Sequence, residues 1–518
     1  MQTSIGKRQG IIKILLKELI MDNLESGLNN DSEKCTEILE KIKASNNDLN
    51  RKERLSIPLQ KMPEQQPEIR ARNFNEVTLG YSPEKAVLES ARCISCPGKP
   101  CVQACPVGID IPAFLTAAAA GDFKKGISII KKDNLLPAVC GRVCPQEIQC
   151  QSKCTVGKIL GDVDESVSIG RIERFLADWE RENCPEVPDV KENTGHKVAV
   201  VGSGPASLVV AADVRREGHD VTVFEALHKT GGVMTYGIPE FRLPKEIVFN
   251  EIDILKKMGV EFVTNFFVGR TRQLLDLLNE DGYDAVFIGE GAGLPRFMNI
   301  PGENLVGVFS ANEYLTRVNL MRAFEQNRAD TPIISNGIAV VVGGGNVAMD
   351  AARTALRMGA DEVHVVYRRS EDEMPARKEE IHHAKEEGVI FHYLQNVIRC
   401  IGDENECLTE LECVCYELGE PDSSGRPRPV EKEGSNFTMK AGVMIVAIGN
   451  HSNPILARST PGLKCSDRGN ILVDENMKTS LDRVYAAGDT VSGSATVILA
   501  MGDGRKAAAS INRLFENS

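Results

Sequence analysis

The sequence lacks an uninterrupted apolar run long enough to cross a membrane. Its longest apolar stretch near the N-terminus, IIKILLKELI at 11–20, is broken by lysines, and no small-residue cleavage site follows it. A membrane helix needs about 20 predominantly apolar residues, and a signal peptide ends in a small-residue cleavage site. The pattern therefore argues against a membrane span and against export, and we expect a cytoplasmic protein.

An excess of positive charge is also missing. The chain has 61 basic and 73 acidic residues, which gives a net charge of −12. Proteins that bind nucleic acid neutralise its phosphates with lysine and arginine. The composition therefore argues against a nucleic-acid partner.

The length and the changes in sequence texture predict several domains. A chain of 518 residues is too long for one core and should form about three domains. Residues 1–60 are polar and lysine-rich, with helical periodicity, and we interpret them as an N-terminal extension. Residues 61–195 combine short helical patterns with many cysteines, and a strand–glycine turn–helix–strand pattern begins at 196 and returns at 337–369.

The cysteines are abundant and clustered. Of 15 in the chain, the eight between residues 93 and 154 form a C-x2-C-x4-C-x3-C-P group and a C-x3-C-P-x4-C-x3-C group. In a reducing compartment such clustering indicates metal binding and not a disulfide framework. The members of the first group are Cys93, Cys96, Cys101 and Cys105, and those of the second are Cys140, Cys144, Cys150 and Cys154.

Two sets of four thiolates are what two [4Fe–4S] clusters require. In ferredoxin-type sequences the fourth cysteine of a group commonly binds the other cluster, so we expect crossed ligation. The alternative is a pair of zinc sites closed by four sulfurs each. Zinc sites usually contain two C-x2-C-like knuckles, whereas this sequence has only one.

The first strand–turn–helix unit has a dinucleotide-binding loop, GSGPAS at 202–207. Gly202 permits the tight turn, and Gly204 lets the backbone approach a pyrophosphate at the N-terminus of the helix. Pro205 and Ala206 complete the loop, and Ser207 occupies the third small position. Glu225 ends the next strand, where a carboxylate can accept hydrogen bonds from ribose hydroxyls, which suits the adenosine of FAD or NAD.

The second unit has the loop GGGNVA at 343–348, in which we expect Gly343 and Gly345 to approach a nucleotide. Its second strand ends in Arg368 and Arg369 and has no carboxylate there. Guanidinium groups bind phosphate in a bidentate manner, so we infer a 2′-phosphate and hence NADPH over NADH. The alternative is that both arginines lie at a solvated strand end.

The C-terminal region completes the first nucleotide domain. Gly488 and Asp489 follow a predicted strand, and a helix starts near Ala495 and Thr496. The aspartate can bind a ribityl hydroxyl, and the helix N-terminus can stabilise a reduced, anionic flavin. We therefore expect an FAD domain formed by 196–330 and 448–518, with an NADPH domain at 331–447 inserted into it.

From about residue 62 to the C-terminus, the chain resembles a known enzyme family. The resemblance is carried by CGRVCPQE, TGGVMTYGIPEFRLPK, GGGNVAMD, YRRSEDEMPAR and GSATVILAMGDGRKAA. The chain is similar to the small (β) subunit of NADPH-dependent glutamate synthase. It also resembles the homologous parts of dihydropyrimidine dehydrogenase and of the large subunit of the bifurcating NADH-dependent ferredoxin:NADP oxidoreductase.

The resemblance implies an α/β fold. A small helical domain with two [4Fe–4S] clusters precedes two Rossmann-like domains of the glutathione-reductase type, the second inserted in the first. It also implies cofactor-binding residues. The first cluster is held by Cys93, Cys96, Cys101 and Cys154, and the second by Cys105, Cys144 and Cys150 with either Cys140 or Glu173 as fourth ligand. Around FAD it marks Gly232, Arg242 and Asp489, and around NADPH it marks Asn346, Val347, Arg368, Arg369, Arg377 and Gly449.

Two features depart from the family pattern. Ser207 stands where relatives have glycine or alanine, although serine is small enough for contact between helix and strand. The first sixty residues exceed the pattern, which leaves the partner open.

The implied activity is that of an NADPH-dependent oxidoreductase. Electrons pass from NADPH through FAD to the clusters and then to a larger or flavin-containing electron-accepting subunit, with no side chain acting as acid, base or nucleophile. A glutamate synthase small subunit is the favoured identity. The alternatives are a subunit of the bifurcating enzyme, and a relay subunit without NADPH oxidation, against which the intact GGGNVA and YRR strings argue.

Overall fold

The computed structural model describes residues 36–42, 44, 49–325, 329, 331, 333, 337–422, 425–493 and 495–516. The helical pattern expected at 11–20 lies outside these residues. The described end of the N-terminal extension packs on the following domain: Ile42 and Ile57 are buried against Leu88 and Ala119. No helix among the described residues has both the length and the apolar character needed to cross a membrane.

The cysteine-containing region is helical, as predicted. Two of its helices, α7 (Pro137–Val143) and α9 (Ile169–Asn183), pack so closely that a Cβ on Gly141 would lie 2.6 Å from the Arg174 nitrogen. The helices before the first strand are α1 (Arg51–Ser56), α2 (Pro67–Arg70), α3 (Pro83–Ala91), α4 (Pro100–Gln103), α5 (Ile111–Ala119), α6 (Phe123–Ile130), α7 (Pro137–Val143), α8 (Thr155–Leu160) and α9 (Ile169–Asn183).

The next domain is built on a parallel sheet with the strand order β16-β4-β1-β2-β3, in which β16 (Val484–Ala486) comes from the C-terminal part of the chain. Its central strand, KVAVV, is apolar and buried along nearly its whole length, which is typical of a sheet covered on both faces. The elements are β1 (Lys197–Val201), α10 (Pro205–Arg216), β2 (Asp220–Phe224), α11 (Val233–Tyr236), α12 (Lys245–Lys257), β3 (Glu261–Val263), α13 (Leu274–Asn279) and β4 (Ala285–Ile288).

A second parallel sheet, with the order β6-β14-β7-β8-β9, forms the inserted domain, and an antiparallel sheet of β10 to β13 covers one of its faces. Its elements are β5 (Leu294–Pro295), β6 (Val308–Ser310), α14 (Ala311–Asn319), β7 (Ile338–Val342), α15 (Asn346–Arg357), β8 (Glu362–Tyr367), α16 (Lys378–Glu386), β9 (Ile390–Tyr393), β10 (Gln395–Gly402), β11 (Leu408–Pro421), β12 (Pro427–Glu431), β13 (Phe437–Lys440) and β14 (Val443–Val446).

The chain then returns to the first sheet through β15 (Asn450–His451), α17 (Pro454–Ser459), β16 (Val484–Ala486), α18 (Asp489–Ser492) and α19 (Val497–Glu516). β15 pairs with β5, so these two short strands mark the passage between the domains. The expected boundary at 330 is too late. β6 (Val308–Ser310) precedes residue 330 but pairs with β14 in the second sheet. The inserted domain therefore begins before β6, because strand pairing and not closeness in sequence decides which sheet a strand joins.

A buried network of arginines and carboxylates joins the domains. Glu387, just after α16, accepts hydrogen bonds from Arg353 at 2.7 Å, Arg357 at 2.6 Å and Arg70 at 3.1 Å. Arg353 and Arg357 belong to α15 of the inserted domain, whereas Arg70 ends α2. Phe241 of the first nucleotide domain lies under this cluster, with the Arg357 guanidinium carbon 3.9 Å from its ring centroid. One carboxylate therefore holds three buried cations from two domains.

We predict that Glu387→Gln destabilises the protein by about 3–5 kcal/mol, because the substitution leaves buried guanidinium groups without their shared anion. Burial alone would raise the pKa of Glu387, but the hydrogen bonds from Arg357 and Arg353 lower it from 4.5 to about 2. Its stabilisation is therefore complete above pH 4.5 and is lost as the pH falls towards 2. Urea unfolding as a function of pH measures both effects.

The matched control is Glu371→Gln, which removes a half-exposed carboxylate paired with Lys385 on the surface of the same domain. Such a pair contributes about 1 kcal/mol or less. Equal losses in the two variants would show that the buried network does not stabilise the interface.

Candidate functional site

The cysteines gather into two sites that cross the sequence groups. The pKa of Cys101 is raised to about 12, first by burial and then by Cys93, Cys154 and Cys96. Cys154, from the second sequence group, thus faces cysteines of the first. The Thr155 hydroxyl donates to the Cys96 sulfur at 3.2 Å. We call this set the first cluster site: Cys93, Cys96, Cys101 and Cys154.

Cys105, from the first sequence group, lines a pocket with cysteines of the second. The pocket also contains Glu173 and is closed by Ile498 of α19. Burial raises the pKa of Cys150 well above its usual range, with Glu173, Cys144 and Cys105 adding to the effect. We call this set the second cluster site: Cys105, Cys140, Cys144, Cys150 and Glu173.

The spacing of the sulfurs suits a cluster better than a single ion. Four thiolates around one zinc, with Zn–S bonds of about 2.3 Å, would lie roughly 3.8 Å from each other. No three cysteine sulfurs among the described residues lie within 4.8 Å of one another. Thiol donors that are buried or half-buried and lie farther apart than this fit the larger [4Fe–4S] core.

The second site offers five donors, one more than a [4Fe–4S] cluster needs. Cys140 is buried and its sulfur lies 3.7 Å from Asn134 Oδ1 and 3.6 Å from the Met501 sulfur. A hydrogen bond with Cys140, followed by burial, raises the pKa of Cys144. Burial raises the pKa of Glu173 to about 8, against a lowering by Asn134.

Three loops of the first nucleotide domain converge where FAD is expected. Gly202 has φ +91°, and a Cβ there would lie 2.5 Å from the Gly289 carbonyl oxygen. Gly204 caps α10, which opens with Pro205 and Ala206. Gly232 packs against this loop, since a Cβ added to it would lie 2.9 Å from the Gly204 Cα.

The third loop comes from the C-terminal part of the chain. Gly488, with φ +76°, would place a Cβ 3.1 Å from that of Ala206. Asp489 Oδ1 accepts from the Ala495 nitrogen at 3.1 Å, and burial raises the pKa of this carboxyl. The Thr496 hydroxyl accepts from the Leu499 nitrogen at 3.3 Å at the start of α19.

Ser207 and Glu225 both have internal partners. The Ser207 hydroxyl donates to the Gly289 carbonyl at 3.3 Å, so this serine ties α10 to β4. Glu225 accepts from the Ser203 nitrogen at 3.0 Å and from the Leu227 nitrogen at 2.8 Å. Its carboxylate therefore holds the glycine loop against the end of β2.

Arg242, marked for FAD by the resemblance, is engaged elsewhere. Its guanidinium lies 2.7 Å from Asp350 and 3.0 Å from Glu380, both in the inserted domain. All three side chains are buried. In the described structure this arginine joins the two nucleotide domains.

The second glycine loop is built like the first. Gly343, with φ +145°, would place a Cβ 2.3 Å from the Ala447 carbonyl oxygen, and Gly345 caps α15. Asn346 Oδ1 accepts from the Arg377 nitrogen at 2.9 Å. Val347 is 44% exposed. Gly449, which lies between β14 and β15, has φ +103°.

The two arginines at the end of β8 have different surroundings. Arg368 is exposed, whereas Arg369 is 4% exposed. Arg369 donates to Asp422 at 2.7 Å and to the Pro427 carbonyl at 2.8 Å. Only Arg368 is thus open to a phosphate, because the β11–β12 connection already uses the second guanidinium.

Arg377 contacts the cysteine domain. Its guanidinium lies 3.1 Å from Glu147 and 2.9 Å from Glu379, and it donates to the Arg142 carbonyl at 3.3 Å. Glu147 lies between Cys144 and Cys150 in the sequence. Arg377 therefore links the inserted domain to the loop of the second cluster site.

Sequence reasoning missed the residues that support the sites. Ser203 binds Glu225, Asn134 binds Glu173, and Met501 touches Cys140. Asn134 belongs to none of the quoted motifs, and Ser203 and Met501 occupy positions in the strings GSGPAS and GSATVILAMGDGRKAA to which the sequence analysis gave no role. The one available signal for Asn134 was its position. It is a polar residue six positions before Cys140 and just ahead of a helix that begins with proline.

Comparison with known proteins identifies the families that the two parts of the chain match. Residues 70–184 match the family described as dihydropyrimidine dehydrogenase domain II, 4Fe-4S cluster, and residues 196–504 match pyridine nucleotide-disulphide oxidoreductase. The glutamate synthase [NADPH] small chain of Halomonas elongata is 36% identical over 459 residues, which are 86% of this chain and 94% of that protein.

A second relative is the NADP(+)-dependent formate dehydrogenase subunit beta of Moorella thermoacetica. It is 37% identical over 80% of this chain, but the match covers only 59% of that longer protein. The structure of FprA from Mycobacterium tuberculosis in complex with NADPH aligns with a TM-score of 0.52 and 22% identity over 62% of this chain and 85% of that one, which shows a shared fold.

The cofactors that follow are FAD, NADPH and [4Fe–4S] clusters. The chain is an NADPH-dependent iron–sulfur flavoprotein oxidoreductase that belongs to the glutamate synthase small-chain family.

Proposed function

We propose that this chain is the electron-input subunit of an NADPH-dependent glutamate synthase. It takes electrons from NADPH and delivers them, through its flavin and its two clusters, to a larger subunit. The match to the Halomonas elongata small chain supports this identity, because it extends over 94% of that protein. The formate dehydrogenase relative extends well beyond the match, so the comparison with it covers only a part of its architecture.

The contact of α19 with both redox sites carries the proposal. Ile498 of α19 lines the second cluster site. Six residues further along the same helix, a Cβ on Gly504 would lie 2.6 Å from the carbonyl oxygen of Ala206, in the helix that opens at the FAD loop. The last helix therefore contacts both the second cluster site and the helix that follows the flavin loop, which supports neighbouring positions for the two cofactors.

The chain's own residues bind and orient the cofactors. FAD, when bound, couples a two-electron hydride donor to clusters that accept one electron at a time. The glycine loops at Gly202 and Gly343 admit the dinucleotide backbones, and Arg368 is open to the 2′-phosphate of NADPH. Cys93, Cys96, Cys101 and Cys154 would hold the first cluster. Cys105, Cys144 and Cys150, with either Cys140 or Glu173, would hold the second.

We predict that Arg368→Glu weakens NADPH binding about 10–100-fold and leaves NADH binding almost unchanged, because it removes one charge-assisted contact to the 2′-phosphate. Anaerobic titration of the flavin absorbance with each nucleotide gives both affinities. Arg369→Lys is the control, because it keeps a cation beside Asp422 and alters a guanidinium that is not open to the nucleotide, so both affinities should stay unchanged. Equal losses for the two nucleotides in Arg368→Glu would contradict the assignment.

Crossed ligation predicts how single cysteine variants pair. Cys154→Ser should lose the same electron paramagnetic resonance signal as Cys93→Ser, and Cys105→Ser the same signal as Cys144→Ser, because the ligands share a site across the sequence groups. Spectra of the reduced, anaerobically purified variants decide the pairing. If Cys154→Ser instead resembles Cys144→Ser, each cluster is held by its own sequence group.

The partner is identified by purification without oxygen. We expect a much larger polypeptide to co-elute and the complex to form glutamate from glutamine and 2-oxoglutarate with NADPH. Co-elution of a small flavoprotein with ferredoxin-dependent activity would instead favour the bifurcating enzyme. An isolated chain whose flavin is not bleached by NADPH would leave only the role of a relay.

A further inference from the structure

The N-terminal extension contacts the first cluster site. Arg54 of α1 donates a hydrogen bond from its Nη1 to the Cys93 carbonyl oxygen at 3.3 Å and another to the Ala91 carbonyl oxygen at 3.0 Å. Its Nε donates to the Leu49 carbonyl oxygen at 3.0 Å. Ala91 is the last residue of α3, and Cys93 follows it by two positions. A side chain of the extension therefore holds the backbone of a residue that belongs to the first cluster site.

Arg54 is carried by a short helix whose ends are both fixed. α1 begins with a capping box, in which the Asn50 side chain accepts from the Glu53 nitrogen at 3.1 Å and the Glu53 carboxylate accepts from the Asn50 nitrogen at 2.8 Å. Such a box stabilises the first turn of a helix. Ile57, the residue after α1, is buried against Leu88 of α3. The guanidinium of Arg54 therefore reaches the end of α3 from a defined position.

A buried ion pair joins the same turn of α3 to the extension. Arg92 and Glu89 are both buried and lie 2.8 Å apart. Arg92 donates to the Ile57 carbonyl oxygen at 3.2 Å, and Glu89 accepts from the Gln60 nitrogen at 2.8 Å. Glu89 also accepts from the nitrogen of Ser168, between α8 and α9, at 2.8 Å. The turn that leads into the first cluster site is therefore held from two sides, and the extension supplies one of them.

The Arg54 guanidinium lies where a cation affects a redox site. The last carbonyl groups of a helix have no partner within the helix and carry negative partial charge. A cation that bonds them offsets this charge beside the cluster ligand. Hydrogen bonds to the surroundings of metal ligands also affect metal affinity and reduction potential. Reduction adds a negative charge to a cluster, so a cation at this position favours the reduced form.

We propose that Arg54 is a positioning residue for the first cluster, which fixes the backbone of Cys93 and raises the reduction potential of that cluster. The part of the extension at 50–60 is then a component of the redox site. This inference rests on the proposed function, because it presupposes that Cys93 binds the first cluster.

The test compares variants of the full chain, purified without oxygen with whatever partner co-elutes. In Arg54→Gln the ratio of reduced to oxidised first cluster at a given potential should fall about 10-fold, which lowers the midpoint potential by about 59 mV. A redox titration followed by electron paramagnetic resonance measures this shift, and the first-cluster signal is the one that Cys93→Ser loses. The signal and potential of the second cluster should stay unchanged.

Arg51→Gln is the matched control. It removes the same charge from an exposed position of the same helix, so the potentials of both clusters should be those of the unaltered chain. Arg54→Lys is a milder second variant. It keeps the charge but replaces the guanidinium fork with a single ammonium group, so the first-cluster potential should fall by less than in Arg54→Gln.

Two results would overturn the inference. One is a first-cluster potential in Arg54→Gln equal to that in Arg51→Gln, even if urea unfolding shows a loss of stability, because Arg54 would then have a structural role alone. If Arg54→Gln does not fold, an unshifted potential in Arg54→Lys decides in the same way. The other is an equal shift in both clusters, which would indicate a general change of the cysteine domain. Bleaching of the flavin by NADPH, measured on the same samples, reports separately on the proposed function.

Discussion

The contact between the cysteine loop and the last helix determines how the redox sites are arranged. A Cβ on Gly502 of α19 would lie 2.9 Å from the carbonyl oxygen of Pro106, the residue that follows Cys105. Two positions later, Gly504 permits the equally close approach of α10 beneath the FAD loop. Side chains at these glycines would push the cluster domain and the flavin domain apart. The close placement of the cluster domain against the flavin domain thus depends on a helix that carries glycine at two contact points.

The inserted domain is held by charge and not by apolar packing alone. Arg242 reaches Asp350 and Glu380, and Glu387 collects Arg353, Arg357 and Arg70. Burial alone would raise the pKa of Glu380, but the nearby Arg242 and Arg353 hold it far below its usual range. Removing one partner from such a network leaves a buried charge, so the network favours one relative placement of the domains.

Much of the fold was predictable from local patterns. The glycine loops at 202 and 343, the buried apolar strands before them and the return of the chain to the first sheet through β16 all follow from periodicity and spacing. The boundary near 330 was wrong, because β6 at Val308–Ser310 pairs with β14, which lies far away in sequence. Arg242 and Arg369 were grouped with nucleotide-binding residues, yet each is bound to a carboxylate that no motif pointed to.

The sequence by itself determined the chemistry. The cofactors are specified by eight clustered cysteines, two dinucleotide-binding loops and a strand that ends in two arginines. Each of these features depends on residue type and short spacing. Tertiary structure alone decided the grouping. Cys154 joins Cys93, Cys105 joins Cys144, and Asn134 comes between Glu173 and Cys140. These contacts join helices that are distant in the chain, and their packing is set by many side chains together, so no local pattern records them.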